Sequence, residues 1–329
     1  MQAAHKISVV IPTIGRMDFL DKAIASLIEQ TIAFDEIIVF DNSKEQNLKS
    51  LSTYSEHPQV TWKQSQQHVD ALTSWNTAVG HCKNEFVTIF GDDDVALEDF
   101  HIELQKLLDR SNFGLLPFNR IDQNDKPTQQ YQGSVNDIHP TQFRHNRMQG
   151  KQDMVVPGVI FNQNKFDSMG RFIDVGLPNY LYPDEFLWLK LASLEKNVAI
   201  GDKPAWLYRV HDSQIGGMKS IEVFSQNIGR YLDMLVEALE NNGVDKNEVF
   251  PPGISRQKHL NKIQLRYLRS VIKRLIKQDE SNRSLYNNEL GYFLKSDASL
   301  STKLEGTVST LWKILRIKNK KPTKSVQPE

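Results

Sequence analysis

The chain has 329 residues, of which 39% are hydrophobic and 24% are charged, as expected for a globular protein with one large core or two smaller ones. Its single cysteine, Cys82, excludes an intramolecular disulfide and a zinc site built from several cysteines, and it indicates a reducing compartment. No apolar run reaches the length of a signal peptide or a membrane span, so we expect a cytoplasmic protein.

The net charge of zero conceals an uneven distribution. Residues 255–329 hold 17 Lys and Arg against six Asp and Glu, and the rest of the chain is acidic to the same extent. Such a tail predicts contact with an anionic surface, for instance at the inner face of the cell membrane, or equally a basic helical face in water. Nucleic acid is not expected as a partner, because the basic run lacks interleaved aromatics and a recognised binding motif.

The first ninety residues alternate between strand and helix patterns. Strands are predicted at 7–12, 37–40, 60–63 and 86–90, and helices at 19–28 and 71–81. This alternation predicts a parallel sheet with helices on both faces, and in such sheets ligands bind beyond the carboxyl ends of the strands.

The rest of the chain is less regular. The pattern predicts strands at 113–118 and 205–210, a long polar loop at 122–148, and helices at 184–194, 221–241 and 257–277. We place a boundary at Gly216-Gly217, with an α/β domain over 1–216 and a basic helical region over 217–329.

Three consecutive carboxylates, Asp92, Asp93 and Asp94, follow the fourth predicted strand and Gly91. Adjacent carboxylates repel one another, so they usually share a hard cation, and Mg²⁺ or Mn²⁺ in turn brings a phosphate. The alternative is an acidic turn that caps a helix beginning near Leu97, although a cap needs only one carboxylate.

These motifs together resemble those of family 2 glycosyltransferases with the GT-A fold. The resemblance rests on residues 7–13, on residues 36–43, and on Trp75-Asn76 leading into residues 91–94, and it covers about two-thirds of the chain. It implies a mixed sheet flanked by helices, with a helical C-terminal extension. It also implies metal-dependent, inverting transfer of a sugar from a nucleoside diphosphate to an acceptor hydroxyl. The usual setting is bacterial cell-surface polysaccharide synthesis on a glycan or lipid-linked glycan acceptor.

The resemblance assigns roles to particular residues. The implied nucleotide-sugar-binding residues are Pro12, Thr13, Asp41, Asp92 and Arg209, and the implied metal ligands are Asp92, Asp93, Asp94 and His211. Asp41, which ends a strand, would read the base, although an Asp in a turn needs no other explanation than the turn. The chain departs from the family pattern at Gly91, where Asp is usual, and at Asp70, where Gly is usual. The resemblance therefore leaves open whether Asp93, or Asp92 with Asp94, binds the metal.

Two later segments complete the resemblance. Residues 183–190 resemble the segment that carries the catalytic base, which places the base on Asp184 with Glu185 as the alternative. An inverting transfer needs such a carboxylate to take the acceptor's proton, although a helix cap would also use an Asp here. Residues 208–214 resemble the segment that closes over the diphosphate, where Arg209 would offset the charge of the leaving group and His211 would complete the metal shell. A hydrogen-bonded histidine is the simpler alternative.

Two other classes compete with this interpretation. A nucleotidyltransferase shares the carboxylates at strand ends, but residues 12–16 lack a glycine-rich loop with basic residues for a triphosphate. A noncatalytic scaffold or sugar-binding module would keep the fold and lose the base.

Overall fold

The computed structural model describes residues 5–45, 47–131, 137–211, 221–278, 283–296 and 298–318. The chain divides into two compact units. The first comprises Met1–Val175, Tyr182–Ile215 and Glu237–Val249, and the second comprises Gly176–Leu181, Gly216–Val236 and Phe250–Glu329. The predicted boundary at Gly216-Gly217 falls outside the described residues.

The first unit is built on a seven-stranded sheet with the order β10-β6-β9-β4-β1-β2-β3. Its strands are β1 (Ile7–Thr13), β2 (Glu36–Asp41), β3 (Val60–Gln64), β4 (Phe86–Ile89), β6 (Phe113–Leu115), β9 (Val159–Asn162) and β10 (Ala199–Ile200). β1 pairs in parallel with β2 and β4, whereas β9 runs antiparallel to β4 and β6. The four strands of the first ninety residues therefore pair in parallel, as the alternation of strands and helices predicts. The antiparallel β9 makes the whole sheet mixed, as the resemblance implies.

A second sheet of four strands, with the order β5-β11-β7-β8, also belongs to the first unit. Its strands are β5 (Val95–Ala96), β7 (Phe118–Asp122), β8 (Pro127–Gln129) and β11 (Trp206–Val210). The apolar run predicted as one strand at 113–118 is thus two strands in different sheets, because Pro117 has no N–H to continue a ladder.

Helices accompany the sheets of the first unit. They are α1 (Met17–Ile28), α2 (Leu48–Leu51), α3 (Ala71–Gly80), α4 (Phe100–Leu108), α5 (Pro140–Gln149), α6 (Gln163–Ser168) and α7 (Pro183–Ser193). The apolar sides of α1 and α4 pack in the core of this unit. Leu20, Ile24 and Leu27 follow helical spacing on α1 and are buried in the same core as Phe100 and Leu104 of α4. The strand ends are therefore held on a rigid scaffold.

The predicted loop at 122–148 is wrong at Pro127–Gln129, which form β8, and from Pro140 onward, where α5 begins, while residues 132–136 lie outside the described residues. This helix has little apolar pattern, and polar side chains hold it in place. Arg144 Nε donates to the carbonyl of Val249 at 3.1 Å, and His145 Nε2 lies 2.8 Å from the carbonyl of Glu248. Glu248 ends a 3₁₀ turn, Lys246–Glu248, and a second 3₁₀ turn is Pro178–Tyr180.

The C-terminal part of the chain is helical, as predicted. The helices are α8 (Ile221–Asn241), α9 (Arg256–Gln278), α10 (Arg283–Lys295) and α11 (Leu300–Lys318). Leu260, Leu268 and Ile272 of α9 are buried, whereas the basic side chains of Lys262 and Arg266 are exposed. Over residues 256–272 of α9, the apolar side chains therefore pack within the protein and the basic ones lie mostly at the surface. In the described part of the chain, no helix has the length and apolar character needed to cross a bilayer.

Asp70, one of the two departures from the family pattern, is the N-cap of α3. Its Oδ1 accepts hydrogen bonds from the N–H groups of Leu72 and Thr73 at 3.0 and 3.1 Å, and its Oδ2 accepts one from the Thr73 hydroxyl at 2.5 Å. The Thr73 hydroxyl and these backbone N–H groups lower the pKa of Asp70 below its ordinary value. The carboxylate therefore stabilises the start of the helix in its charged form.

We expect Asp70→Ala to lower the free energy of unfolding by about 1 kcal/mol, because two N–H groups lose their acceptor. Urea denaturation measures this loss. The loss shrinks as the pH falls through the acid range, because protonation removes the cap's charge from the wild type as well. Asp202→Ala, an exposed loop position, is the control and should change the free energy by less than about 0.5 kcal/mol. Equal losses in the two variants would contradict the capping role.

Candidate active site

The candidate site lies where β1, β2 and β4 end together. The parallel register places Thr13 beside Asp41 and Val10 beside Ile89. Thr13 comes three residues after Val10, and Asp92 comes three residues after Ile89, so both residues lie just beyond this last pair of β1 and β4. The Thr13 hydroxyl donates to Asp92 Oδ2 at 2.6 Å. Side chains predicted from separate motifs therefore meet at one edge of the sheet.

The acidic triplet is buried. Asp92 and Asp94 are each 1% exposed and Asp93 is 7% exposed. A Cβ at Gly91 would collide with the carboxylate oxygens of Asp94 and Asp93, so these side chains would have to shift to admit the Asp that the family usually carries at this position. The glycine is what allows the carboxylates to fold back beside the strand end.

A basic side chain that the sequence analysis missed contacts the triplet. Arg16 lies between β1 and α1, and its Nη2 forms an ion pair with Asp92 Oδ1. Its Nη1 lies 2.8 Å from Asp93 Oδ2 and 3.4 Å from His211 Nε2. His211 Nε2 is itself 2.7 Å from Asp93 Oδ2, and the imidazole packs against Phe19. The sequence offered one signal for this contact: Arg16 comes three residues after the end of β1, the strand that pairs with β4 before the triplet.

Arg209 contacts the triplet through its backbone N–H and through its guanidinium. Its backbone N–H donates to Asp94 Oδ1 at 2.8 Å, and its Nε donates to the carbonyl of Asp93 at 2.6 Å. The guanidinium also donates to the carbonyl of Asp122 and forms an ion pair with Asp125 at 2.6 Å. This fully buried side chain therefore ties β11 of the second sheet to the turn after β4.

Burial and mutual repulsion shape the protonation of this cluster. Burial raises the pKa of Asp92, although the adjacent Arg16 acts in the opposite direction. Burial and then the charge of Asp93 raise the pKa of Asp94 well above its ordinary value. Burial would lower the pKa of Arg16, but the charges of Asp92 and Asp93 outweigh it and hold that pKa above its ordinary value. The buried carboxylates are thus harder to ionise than in water, and the neighbouring Arg16 charge favours their ionised forms.

Asp41 forms the turn that follows β2. Its Oδ1 accepts from the N–H of Ser43 at 2.8 Å and its Oδ2 from the N–H of Leu48 at 3.0 Å. The Asp41 carboxylate thus stabilises the turn, and its role in binding the base stays a prediction. Pro12 precedes Thr13 in β1 and pairs with Phe40.

The two candidate bases occupy different environments in the first turn of α7. The N-cap is Tyr182, so neither carboxylate caps the helix, and the capping alternative is wrong. Glu185 is bound to Arg147, whose Nε lies 2.6 Å from Glu185 Oε2. Asp184 is partly exposed and accepts from the N–H of Glu185 at 2.8 Å. Desolvation by the surrounding protein raises the pKa of Asp184 to about 6 despite the charge of Arg147.

The capping alternative for the acidic triplet is wrong. α4 begins at Phe100 with Asp99 as its N-cap, so it starts after the triplet. His211 is hydrogen-bonded to Asp93 just after β11, as the simpler alternative holds, and its role as a metal ligand stays a prediction. Residues 212–214 of the same motif lie outside the described residues.

The donor types at the triplet suit a hard divalent cation. Carboxylate oxygens are the preferred ligands of Mg²⁺, and Mn²⁺ also accepts imidazole nitrogen. Among the residues that the structure describes, however, no three His, Cys, Asp or Glu side chains are placed to hold a metal ion. Asp92 and Asp93 instead face Arg16, and Asp93 also faces His211. The residues fit a metal in kind, and Arg16 would have to move to admit one.

Comparison with known proteins agrees with this geometry. The family model described as glycosyl transferase family 2 matches residues 8–170, which include β1, α1, β2 and the acidic triplet. No curated protein matches the chain.

Among solved structures, S. aureus TarS 1-349 in complex with UDP-GlcNAc is similar, with a TM-score of 0.61 and 14% identity, covering 95% of this chain and 90% of that chain. The same protein in complex with UDP gives a TM-score of 0.61 and 15% identity, covering 95% of this chain and 88% of that chain. At such identity the likeness concerns the fold. Taken with the match over residues 8–170, it means that the chain belongs to glycosyl transferase family 2 and has a GT-A fold.

Proposed function

We propose that this glycosyltransferase moves a sugar from a nucleoside diphosphate to an acceptor hydroxyl with inversion at the anomeric carbon. The observation that carries the proposal is the buried triplet of carboxylates beside Thr13 at the ends of β1 and β4. Ligands of open α/β sheets bind at this edge. No comparable argument supports a noncatalytic scaffold, because both the triplet and the partly exposed Asp184 are retained.

The donor that we propose is a UDP-sugar. The support is the likeness in fold to TarS, which was solved with UDP-GlcNAc and with UDP. Pro12 and Thr13 would line the nucleotide pocket, Asp41 would lie beside the base, and Asp92 beside the ribose. Because Arg209 already holds the carbonyls of Asp93 and Asp122, we assign it to positioning the triplet.

We propose that Mn²⁺ or Mg²⁺ assists the reaction, held by ligands drawn from Asp92, Asp93, Asp94 and His211. When bound, such a cation would offset the charge of the departing diphosphate. The chain's own contribution is to bury the carboxylates and fix the backbone after β4 through Arg209. To admit the cation, the Arg16 side chain and some of these ligands would have to rearrange.

We assign the catalytic base to Asp184. A base must be unprotonated at working pH yet basic enough to take a hydroxyl proton, and burial sets the pKa of Asp184 at about 6. Glu185 is the weaker candidate because its carboxylate is committed to Arg147. Asp184 would take the proton while the acceptor oxygen attacks the sugar from the face opposite the diphosphate.

We further propose an acceptor that is a glycan or lipid-linked glycan of a bacterial surface polysaccharide, met at the cytoplasmic face of the membrane. The support is the family, together with the charge of residues 255–329 and the exposed basic side of α9. Because the apolar side of α9 is buried, attraction to anionic lipid would be electrostatic and sensitive to salt.

The donor proposal is tested with a panel of nucleoside diphosphate sugars, each with Mn²⁺, with Mg²⁺ or with EDTA. A ligand at 100 times its Kd stabilises the native state by about 2.7 kcal/mol, so we expect a UDP-sugar to raise Tm by several degrees when metal is present. Differential scanning fluorimetry measures the shift. A panel in which no nucleotide sugar raises Tm would contradict the donor site.

The base is tested with Asp184→Asn. We expect kcat to fall by about 10²–10⁴-fold with donor binding unchanged, since the amide takes no proton. In the wild type kcat should decrease as the pH falls through about 6, because the carboxylate becomes protonated there. Asp167→Asn, on an exposed ion pair with Arg171, is the matched control. Normal turnover by Asp184→Asn would favour a different base or a noncatalytic protein.

Glu185→Gln separates the two carboxylates of α7. The substitution leaves Arg147 without its charged partner, so we expect a loss of about 1–3 kcal/mol of unfolding free energy. Below the new Tm, kcat should stay within a few fold of the wild type. Its pH dependence should move to a lower pH, because, besides burial, the charge of Glu185 helps to raise the pKa of Asp184. Urea denaturation and a pH profile of kcat measure both effects. A loss of kcat without a loss of stability would move the base to Glu185.

A further inference from the structure

The guanidinium of Arg16 lies on the solvent side of the Asp92 and Asp93 carboxylates. It contacts Asp92 Oδ1 through Nη2 and lies 2.8 Å from Asp93 Oδ2 through Nη1. Its side chain is 23% exposed, whereas the side chains of Asp92 and Asp93 are 1% and 10% exposed. Arg16 therefore forms the outer layer of the cluster and has a path to solvent that the carboxylates lack.

The backbone fixes where this side chain starts. Gly15 has a φ of +106°, and its carbonyl accepts from the N–H of Met17 at 2.9 Å, so Arg16 is the central residue of a tight three-residue turn. The Arg16 carbonyl then accepts from the N–H groups of Phe19 and Leu20 at 3.0 and 2.9 Å, which begins α1. Only the side chain, and not the backbone, is free to leave the cluster.

The pairing of Arg16 with the cluster is incomplete. Its Nε is buried and has no hydrogen-bond partner, so the guanidinium holds the carboxylates through its terminal nitrogens alone. A buried donor without an acceptor lowers the stability of this arrangement. The ion pairs with Asp92 and Asp93 act in the opposite direction. A cation that satisfied the carboxylates better would thus displace Arg16.

We propose that Arg16 is a built-in counter-ion of the donor site, which competes with the divalent cation for Asp92 and Asp93 and is released when the metal and the diphosphate bind. The inference rests on the proposed function, since the competing cation is the one that the donor's diphosphate would bring. Arg16 keeps the buried carboxylates neutralised between turnovers. The released guanidinium has a fork geometry that suits phosphate oxygens.

The test is the affinity for Mn²⁺ alone, measured without nucleotide at fixed ionic strength by calorimetry and by electron paramagnetic resonance of the free ion. We expect Arg16→Gln to bind Mn²⁺ at least 10-fold more tightly than the wild type, because the competing charge is gone. Arg16→Lys, which keeps a charge but loses the fork, should fall between them. Arg171→Gln, which removes an exposed guanidinium on Asp167, should bind Mn²⁺ like the wild type.

Two results would overturn the inference. One is an Arg16→Gln variant that binds Mn²⁺ no more tightly than the wild type, including the case in which neither binds it. The other is a wild type that binds a UDP-sugar in EDTA while Arg16→Gln does not, because Arg16 would then be a permanent replacement for the metal. That second result would leave the proposed donor intact. If Mn²⁺ affinity rises in Arg16→Gln but no nucleotide sugar raises the wild type's Tm, the proposed function fails and the counter-ion role stands.

Discussion

The structure around the site depends on burying adjacent carboxylates at one strand end. Asp92, Asp93 and Asp94 repel one another out of water, so the fold has to supply compensation nearby. The Thr13 hydroxyl, the Arg16 guanidinium, the His211 ring and the Arg209 backbone N–H all converge on them. These partners come from β1, the turn before α1, and β11. The carboxylates therefore bring distant parts of the first unit together.

This constraint explains why the first unit has a second sheet. The backbone N–H of Arg209 is aligned with Asp94 because β11 pairs with β5, which directly follows the triplet. Its guanidinium then reaches the carbonyl of Asp122 at the end of β7, the parallel neighbour of β11. The short second sheet thus acts as a brace for the turn after β4. Gly91 completes the turn because any side chain there would meet the carboxylates.

The sequence predicted the helices and strands that have a local apolar pattern. It missed those that are stabilised mainly by contacts with distant parts of the chain. Helices such as 221–241 have an apolar side at helical spacing, and the pattern alone places them. α5 has almost none, because Arg144 and His145 hold it through carbonyls about a hundred residues away. In the same way, the pairing of Arg147 with Glu185 joins two segments that no local pattern connects. That pairing is what distinguishes the environments of Glu185 and Asp184.

The candidate site, too, was predictable in its residue types but not in its contacts. Three consecutive Asp residues predict a neighbouring cation, but the pattern does not distinguish a metal ion from a basic side chain. In this structure Arg16 supplies the cation, because the tight turn that begins at Gly15 directs its side chain toward the triplet. The order of residues in a motif does not specify the direction in which a side chain points. An empty cluster of buried carboxylates would be costly, whereas exchange of one cation for another keeps the charge balanced throughout. A donor site of the proposed kind is therefore better served by a tethered cation than by none.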